Sequence, residues 1–399
     1  MKCKVKVGEL RDALQMAAIT VDRRQGSELG YVHLGSRKGK AGNQRIILNS
    51  TDGIGRFLIR VPCEVEETGD LVIEPIRLSS LLDRRQEDEV VVFAQDKTTN
   101  RVVARCGSAK VTMLSAGKSA TFESNIKDFP HTAEPTFLIE AVNLKSLLDR
   151  TQAFIFKKDG QEHLKNILIR TTKGGYETLA TNREVVARAH AEDKNSPGLN
   201  GNGAQVTRVE IPGRALPPLA RMLHRNKSGT IRVIVVKNPD GKPASVYFRT
   251  EDAFFGTNLT GNKLPAVDVV FKSPKMDTEV VVPRGELLDS ITRSNPFCTE
   301  SNAGRLVSLE VKESIVRLTA QDSFGEFEEE ITVANPATGT GKATFQVGHL
   351  TDIFRSSDDD HILLKLGTVG PADRPSALLM SGDVIGASYV VAAIAIGIR

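Results

Sequence analysis

Three short stretches decide the fold, because they repeat along the chain: Ser50-Thr51-Asp52, Ala180-Thr181-Asn182 and Ala320-Gln321-Asp322. Each is a polar turn set inside strand-like sequence. Asp52 and Asn182 are 130 residues apart, and Asn182 and Asp322 are 140 residues apart. Landmarks that recur in one order at nearly one period indicate three copies of one domain.

Two amphipathic helix patterns flank each turn, with apolar residues three or four positions apart. The pattern before the turn contains the pairs Leu10 and Leu14, Leu144 and Leu148, and Leu287 and Ile291. The pattern after the turn contains the pairs Leu78 and Leu81, Leu216 and Leu219, and Leu350 and Ile353. Strand-like runs such as Glu89-Val90-Val91-Val92-Phe93 separate them. Each copy is therefore predicted to be an α+β domain with two helices packed on an antiparallel sheet.

The domain boundaries follow from the repeat. Asp128-Phe129-Pro130 stands before the second copy, and Asn262-Lys263-Leu264-Pro265 stands at the matching place before the third. A proline forces extended backbone on the residue before it, which suits a linker strand that leaves a domain. We predict domains at 1–130, 131–266 and 267–399, a count that agrees with a length of 399 residues.

Composition bounds the class of protein. Hydrophobic residues make up 40% of the chain and charged residues 26%, as in ordinary soluble proteins. The absence of Trp and the 5% aromatic content predict aliphatic cores. A net charge of +4 is compatible with nucleic-acid binding but too weak to establish it.

Cysteine usage and hydropathy predict a cytoplasmic protein without a membrane segment. The four cysteines include no C-x-x-C pair, so they are expected to be reduced thiols. The start of the chain alternates basic and apolar residues, which does not match a signal peptide. The apolar stretch from Tyr389 to Ile398 is about half the length that a bilayer requires.

No catalytic or metal-binding pattern stands out, so we expect no enzyme activity, cofactor or metal. The segment Ala337-Thr338-Gly339-Thr340-Gly341-Lys342 has Pro336 where a phosphate-binding loop needs glycine, and Ala343 where it needs Ser or Thr. The acidic run Asp358-Asp359-Asp360 is more typical of a solvated loop than of a cation site. The seven histidines have no metal-ligand spacing. A binding or scaffold role is therefore favoured.

Basic residues recur on the helix patterns or just beyond them. A solvated helix face would explain one such pattern, but the repeated bias suggests a shared surface that contacts phosphates without reading sequence. The scarcity of aromatics argues against base stacking on single strands. The predicted contacts to duplex DNA are Arg23, Arg24, Arg77, Arg84, Arg150, Lys157, Lys158, Arg214 and Arg221.

Four segments resemble the bacterial β sliding clamp, the processivity factor of the replicative DNA polymerase, and the resemblance covers essentially the whole chain. They are 72–84 (Val72-Ile73-Glu74-Pro75-Ile76-Arg77, then Leu81-Leu82-Asp83-Arg84), 144–152 followed by 164–168, 211–223 and 387–391 (Ala387-Ser388-Tyr389-Val390-Val391). The resemblance implies a DNA-clamp fold and a head-to-tail homodimer that closes into a ring around duplex DNA. Its helices would line the hole, and edge strands of the first and third domains would pair between copies.

The resemblance also implies a pocket that receives short linear motifs from the replicative polymerase, the clamp loader and repair proteins. The matching positions are Leu164, Thr181, Pro265, Val269, Val270, Ser376, Val390 and Val391. The chain departs from the family pattern at further pocket positions, which are Val185, Val186, His349, Ala392, Ala393 and Ile394. The loss of methionine removes adaptable packing, so altered motif binding is expected.

Two alternatives remain beside a principal sliding clamp. The altered pocket fits a diverged second clamp that serves a specialised or inhibitor-resistant replisome. A structural oligomer without DNA is a different class, and the helix-borne arginines and lysines argue against it. An enzyme on a three-domain scaffold would need an acid–base or metal cluster that the sequence does not display.

Overall fold

Six α-helices form in the described part of the chain. A computed structural model describes residues 1–22, 24, 27–39, 43–96, 98–116, 122, 129–193, 207–267, 271, 275–298, 300–301, 304–369, 374–384 and 387–394. The helices are α1 (Val7–Ala17), α2 (Pro75–Leu82), α3 (Ala141–Thr151), α4 (Leu216–Arg225), α5 (Arg284–Ser294) and α6 (Val347–Arg355). Each contains one of the predicted apolar pairs, and every residue of those pairs is buried. The predicted helices are confirmed, since one apolar stripe per helix faces a sheet.

The strands divide into four antiparallel sheets. The first ten strands are β1 (Lys2–Lys6), β2 (Val32–Lys38), β3 (Gln44–Thr51), β4 (Gly55–Pro62), β5 (Glu64–Glu67), β6 (Gly69–Ile73), β7 (Val90–Asp96), β8 (Arg101–Cys106), β9 (Ala109–Leu114) and β10 (Phe137–Glu140). The next seven are β11 (Asn166–Thr172), β12 (Gly175–Thr181), β13 (Val185–Glu192), β14 (Arg208–Pro212), β15 (Thr230–Lys237), β16 (Pro243–Arg249) and β17 (Ala253–Asn258). The last nine are β18 (Lys275–Pro283), β19 (Glu300–Ser301), β20 (Gly304–Lys312), β21 (Ile315–Gln321), β22 (Glu326–Thr332), β23 (Gly341–Gln346), β24 (His361–Val369), β25 (Arg374–Val384) and β26 (Ala387–Ile394).

Chain contacts divide the molecule into two compact units. The first unit contains residues 1–142 and 214–260, and the second contains residues 143–213 and 261–399. This division runs through the predicted second domain, whose halves join different units. The three-domain boundaries at 130 and 266 therefore stay a prediction.

The first unit holds a five-stranded sheet and an eight-stranded sheet. The strand orders are β5-β1-β7-β8-β9 and β10-β15-β16-β17-β4-β3-β2-β6. Helix α1 packs on β3 and β4, α2 packs on β8 and β9, and α4 packs on β17. Helix α1 also contacts both α2 and α4, so the three helices form one layer.

The second unit has the same kind of construction. Its eight-stranded sheet has the order β14-β11-β12-β13-β26-β25-β24-β18. Strands β19 to β22 form a path in which β23 also pairs with β20. Helix α5 packs on β21 and β22, helix α6 packs on β20 and β23, and the two helices contact each other.

A linker residue packs on each eight-stranded sheet. Phe129 joins a buried cluster with Leu58, Ile234, Tyr247 and Phe254 in the first unit. Leu264 joins Leu168 and Leu179 in the second unit, with Val267 packed beside them. The residues before the two predicted boundary prolines, Pro130 and Pro265, thus cover equivalent surfaces.

Candidate nucleic-acid interface and peptide pocket

The helix layer of the first unit exposes several of the predicted DNA contacts. Arg77 lies in α2 with 65% of its side chain exposed, and Arg84 follows α2 with 94% exposed. Arg214 and Arg221, before and within α4, are also exposed. Arg77 donates to Glu74 at 2.8 Å, and Arg84 lies 3.8 Å from Asp83. Such surface pairs are weak, so a phosphate can compete for these guanidinium groups.

Arg24 is held by an acidic neighbour. Its guanidinium lies 2.6 Å from Asp22, and its side chain is 84% exposed. These hydrogen bonds hold the pKa of the Asp22 carboxyl well below its usual range. Arg23 lies outside the described residues. The charge at this corner is therefore partly neutralised within the chain.

The remaining three predicted contacts lie in the second unit, and they differ in exposure. Lys157 and Lys158 are exposed in the loop that follows α3. Arg150, near the end of α3, is only 4% exposed. Because a buried guanidinium presents little surface to a phosphate, burial argues against Arg150 as a contact. The pair Leu144 and Leu148 did not reveal this, but Leu147, which is buried three residues before Arg150, is the signal that could have revealed it.

Four of the six pocket residues whose side chains are described are buried in the second unit. Leu164 and Thr181 are each 3% exposed, Val185 and Val186 are 0% and 4% exposed, and Pro265 is exposed. In the backbone register, Val185 pairs with Ala393 and Val186 pairs with Ala392. Ser376 lies in β25, Val390, Val391 and Ile394 lie in β26, and Val269 and Val270 fall outside the described residues. The fold thus brings the start of β13 beside the end of β26.

The Thr181 hydroxyl makes its hydrogen bonds within its own turn. Its hydroxyl donates to the carbonyl of Val185 at 2.8 Å and accepts from the backbone of Arg183 at 3.2 Å. Asn182 accepts from the backbone of Val185 at 2.8 Å. Arg183 has a backbone φ of 86°, a left-handed conformation that residues other than glycine rarely adopt. Backbone strain of this kind clusters at functional sites.

The first and third copies of the turn use the same side chain in the same way. Asp52 accepts from the backbone of Gly55 at 2.6 Å, and Asp322 accepts from the backbone of Gly325 at 2.8 Å. Thr51 donates to the carbonyl of Gly55 at 2.8 Å, as Thr181 does in the second copy. The repeated landmark is therefore a repeated set of hydrogen bonds.

A contact between the second turn and α6 was not found by sequence reasoning. Glu184 accepts hydrogen bonds from His349 and from Gln346, the latter at 2.9 Å. The side chain of His349 is 23% exposed and that of Glu184 is 54% exposed. Because the partners lie more than 160 residues apart, no local pattern could predict this contact. It places a carboxylate beside the predicted pocket residue His349.

Arginines on the linker-covered face of the first sheet were also missed. Arg60 and Arg249 lie over the ring of Phe254, at 5.6 Å and 5.0 Å from its centroid. Arg249 donates to the linker carbonyl of His131 at 2.9 Å. Burial lowers the pKa of Arg60, and repulsion from Arg45 and Arg249 adds to this. The alternation of arginine with buried residues along these strands is the signal that could have revealed them.

Two negative findings concern the described residues only. These residues contain no group of three or more His, Cys, Asp or Glu side chains placed to hold a metal ion. Within the same residues, no helix has both the length and the apolar character needed to cross a bilayer.

Several solved structures match the fold of this chain over its full length. The sliding clamp of Pseudomonas aeruginosa, solved with griselimycin bound, has a TM-score of 0.80 and 19% identity, with 100% of both chains covered. The chain has the sliding-clamp fold. The DNA polymerase β subunit of Streptococcus pyogenes matches with a TM-score of 0.80, 13% identity and full coverage of both chains. The sliding clamp of Bacillus subtilis matches with a TM-score of 0.78, 15% identity and the same coverage.

No protein-family model matches the sequence, and no curated protein matches it. The clamp fold is therefore kept at 13–20% identity to these and other solved clamps. The predicted α+β clamp architecture is confirmed.

Proposed function

We propose that this protein is a DNA sliding clamp, a ring of two head-to-tail copies that encircles duplex DNA. The ring would tether the replicative polymerase and other partners for processive synthesis in the cytoplasm. It would act by topology and carry out no catalysis. The full-length likeness to solved clamps supports the fold on which this proposal rests.

The pairing of equivalent strands carries the proposal of a ring. Strands β4 and β13 follow the first and second turns, and they pair with β17 and β26 respectively. Strand β22 follows the third turn, and β9 is equivalent to β17 and β26 as the third strand after a domain's second helix. Among the described strands, β22 and β9 are each paired on one side only. The repeat is completed if β22 of one copy pairs with β9 of another.

Charge at the two open edges favours this heterologous pairing. The exposed residues of β22 include Glu326, Glu328 and Glu330. The exposed residues of β8 and β9 include Arg105 and Lys110. Opposite charges steer the encounter of two surfaces, whereas pairing β22 with itself would place glutamates together. A head-to-tail contact between different surfaces closes into a ring when the rotation permits.

Exposed basic groups support a sequence-independent interaction with duplex DNA. Arg77, Arg84, Arg214, Arg221 and the pair Lys157 and Lys158 offer side chains to solvent. Contacts of this type bind phosphates by counterion release and weaken steeply with salt. Weak, screened contacts allow a ring to slide while topology retains it.

The predicted pocket would receive short linear motifs from the polymerase, the clamp loader and repair proteins. Its described residues include Leu164, Val186 and His349 in the second unit. The alternative of a diverged second clamp is favoured by two departures, the strained Arg183 and the contact from Glu184 to His349. A clamp with this pocket should bind ordinary clamp-binding peptides more weakly than a principal clamp does.

Retention on circular DNA tests the proposal. The full chain is loaded onto nicked circular duplex by a clamp loader, and retention is measured at rising salt before and after linearisation. Retention on the circle with loss from the linear form is expected. Rapid loss from the circle, by a protein shown to be dimeric and loader-competent, would remove the clamp function and leave a structural oligomer.

A further inference from the structure

The tip of the third turn carries an exposed aromatic side chain. Ile54, Glu184 and Phe324 each lie two residues after the Asp or Asn that organises the turn. Phe324 has 96% of its surface exposed. A single exposed apolar residue is common, but adjoining apolar residues that form a patch mark interaction surfaces. A Cβ at the next residue, Gly325, would lie 3.5 Å from the Phe297 ring, and Phe297 is itself 36% exposed, so further aromatic surface adjoins the tip.

The equivalent tip of the second turn is covered inside the chain. Glu184 contacts Gln346 and His349 at the start of α6. The repeat aligns Leu350 with Leu78, so His349 corresponds to Arg77 and Gln346 corresponds to Glu74. The surface that would cover Phe324 by this repeat is therefore the start of α2 in another copy.

That surface contains a cavity of suitable size and lining. Its volume is about 460 Å³, and its walls include Glu74, Arg77, Tyr31, Met113 and Leu114. Leu114 lies at the end of β9 with 67% of its surface exposed. The two residues that the repeat selects thus line an open, partly apolar cavity in the first unit.

The strand registers direct the tip to the same place. The start of β4 pairs with the end of β17, where Gly55 lies opposite Thr257. The start of β13 pairs with the end of β26, where Val185 lies opposite Ala393. In the same register, the start of β22 would meet the end of β9. Phe324 lies two residues before the start of β22, so it would lie beside Leu114.

We propose that Phe324 of one copy inserts into the Arg77–Leu114 cavity of the next copy and anchors the ring interface. This inference rests on the proposed head-to-tail ring and names the contact that holds it. The phenyl ring would pack on Leu114 and Met113, and the Arg77 guanidinium would lie against its face as a cation–π contact. A second copy is the occupant because the repeat supplies both the knob and the cavity within one sequence.

Aromatic anchors that fill a cavity at the centre of an interface dominate its affinity. Phe324→Ala should therefore raise the dissociation constant of the dimer at least tenfold, which corresponds to about 1.4 kcal/mol. Ile315→Ala is the matched control, since Ile315 lies on the same sheet and is 36% exposed. The control should leave the dissociation constant within about threefold.

Sedimentation equilibrium of the full chain measures the dissociation constants, and the rate of subunit exchange replaces it if the dimer is too tight. Because Phe324 is almost fully exposed in a single copy, Phe324→Ala should keep the wild-type melting temperature at concentrations where both proteins are monomeric. In the Leu114→Ala background, Phe324→Ala should have a much smaller effect, since the two side chains would already have lost each other.

The outcomes separate this inference from the proposed function. A dimeric wild type with an unchanged constant for Phe324→Ala would overturn the anchor and leave the ring standing. Full additivity with Leu114→Ala would overturn the named cavity. A wild type that stays monomeric at every concentration would overturn the ring and its anchor together.

Discussion

The linker-covered faces of the two eight-stranded sheets have the same architecture and different contents. On the first sheet, Phe129 lies 5.9 Å from the ring of Tyr247 and 5.5 Å from the ring of Phe254, both at edge-on angles. On the second sheet, Leu264 packs with Leu168 and Leu179. Arg188 pairs with Leu179 on the next strand, and its guanidinium lies 4.5 Å from the centroid of the Phe271 ring. The linker residue of the first face thus packs against rings, whereas the linker residue of the second packs against aliphatic side chains.

One acid on each sheet has a shifted pKa, and the two shifts have opposite directions. Burial acts to raise the pKa of Asp70, but hydrogen bonds with His33 and Arg37 outweigh it and lower the pKa to about 2. Burial raises the pKa of Glu210 in β14, although the backbone N–H of Leu264 donates to it. The hydrogen bonds from His33 and Arg37 therefore stabilise the charged form of Asp70. Glu210 is instead a poorly solvated acid beside the proposed peptide pocket, and acids with a perturbed pKa tend to occur at functional sites.

The largest predicted difference between the faces is the cost of removing the linker side chain. Phe129→Ala should destabilise the first unit by about 3–5 kcal/mol, since a ring leaves a packed aromatic cluster. Leu264→Ala should cost less, about 2–3 kcal/mol, since the side chain removed is smaller. Urea unfolding followed by circular dichroism, with hydrogen exchange to assign each unit, measures both. Equal costs would contradict the contrast.

The second prediction concerns pH. A lowered carboxyl pKa gives stability that is present above pH ~3.8 and is lost as pH falls through about 2. Asp70→Asn should thus lower the free energy of unfolding of the first unit by up to about 2 kcal/mol at pH 7. The stability of the variant should also depend less on pH in the acid range.

Glu210 supplies the opposite sign for comparison. Its raised pKa means that the native state holds the proton more tightly, so stability falls as pH rises above the usual carboxyl range. Glu210→Gln should stabilise the second unit at pH 7 and leave the first unit unchanged. A loss of stability at pH 7 in Glu210→Gln would break the comparison.

The smallest predicted effect is at the turn tips. Gly53 has φ of 87° and Arg183 has φ of 86°, so the same left-handed conformation is held by different residues. Gly53→Arg should cost about 1 kcal/mol, and Arg183→Gly should gain about 0.5–1 kcal/mol as strain is relieved. Opposite signs in thermal unfolding would confirm equivalent turns, whereas matching signs would contradict them.

Local hydrogen bonding explains why much of the fold was predictable from sequence. Asp52, Asn182 and Asp322 organise turns through bonds to backbone two or three residues ahead, so the pattern is visible in the sequence. The helix pairs were equally visible, because one apolar stripe per helix must be buried.

Long-range contacts explain what sequence reasoning missed. The hydrogen bond from His349 to Glu184 joins segments that are distant in sequence. The Arg60 guanidinium likewise lies over the ring of Phe254, a residue far from it in the chain. The burial of Arg150 was missed for a different reason, since Leu147 three residues before it was not taken into account. The pocket residues were chosen by resemblance, and for Val269 and Val270 that prediction falls outside the described residues.

Direct imaging of the protein on duplex DNA tests the central claim, that two copies close head to tail around it. Cryo-electron microscopy of the full chain loaded on a primed, end-blocked duplex should reveal a closed two-copy ring with the duplex through its centre. Strands β22 and β9 of different copies should be adjacent at both interfaces. Monomers, open chains of copies, or a duplex bound outside a ring would contradict the account.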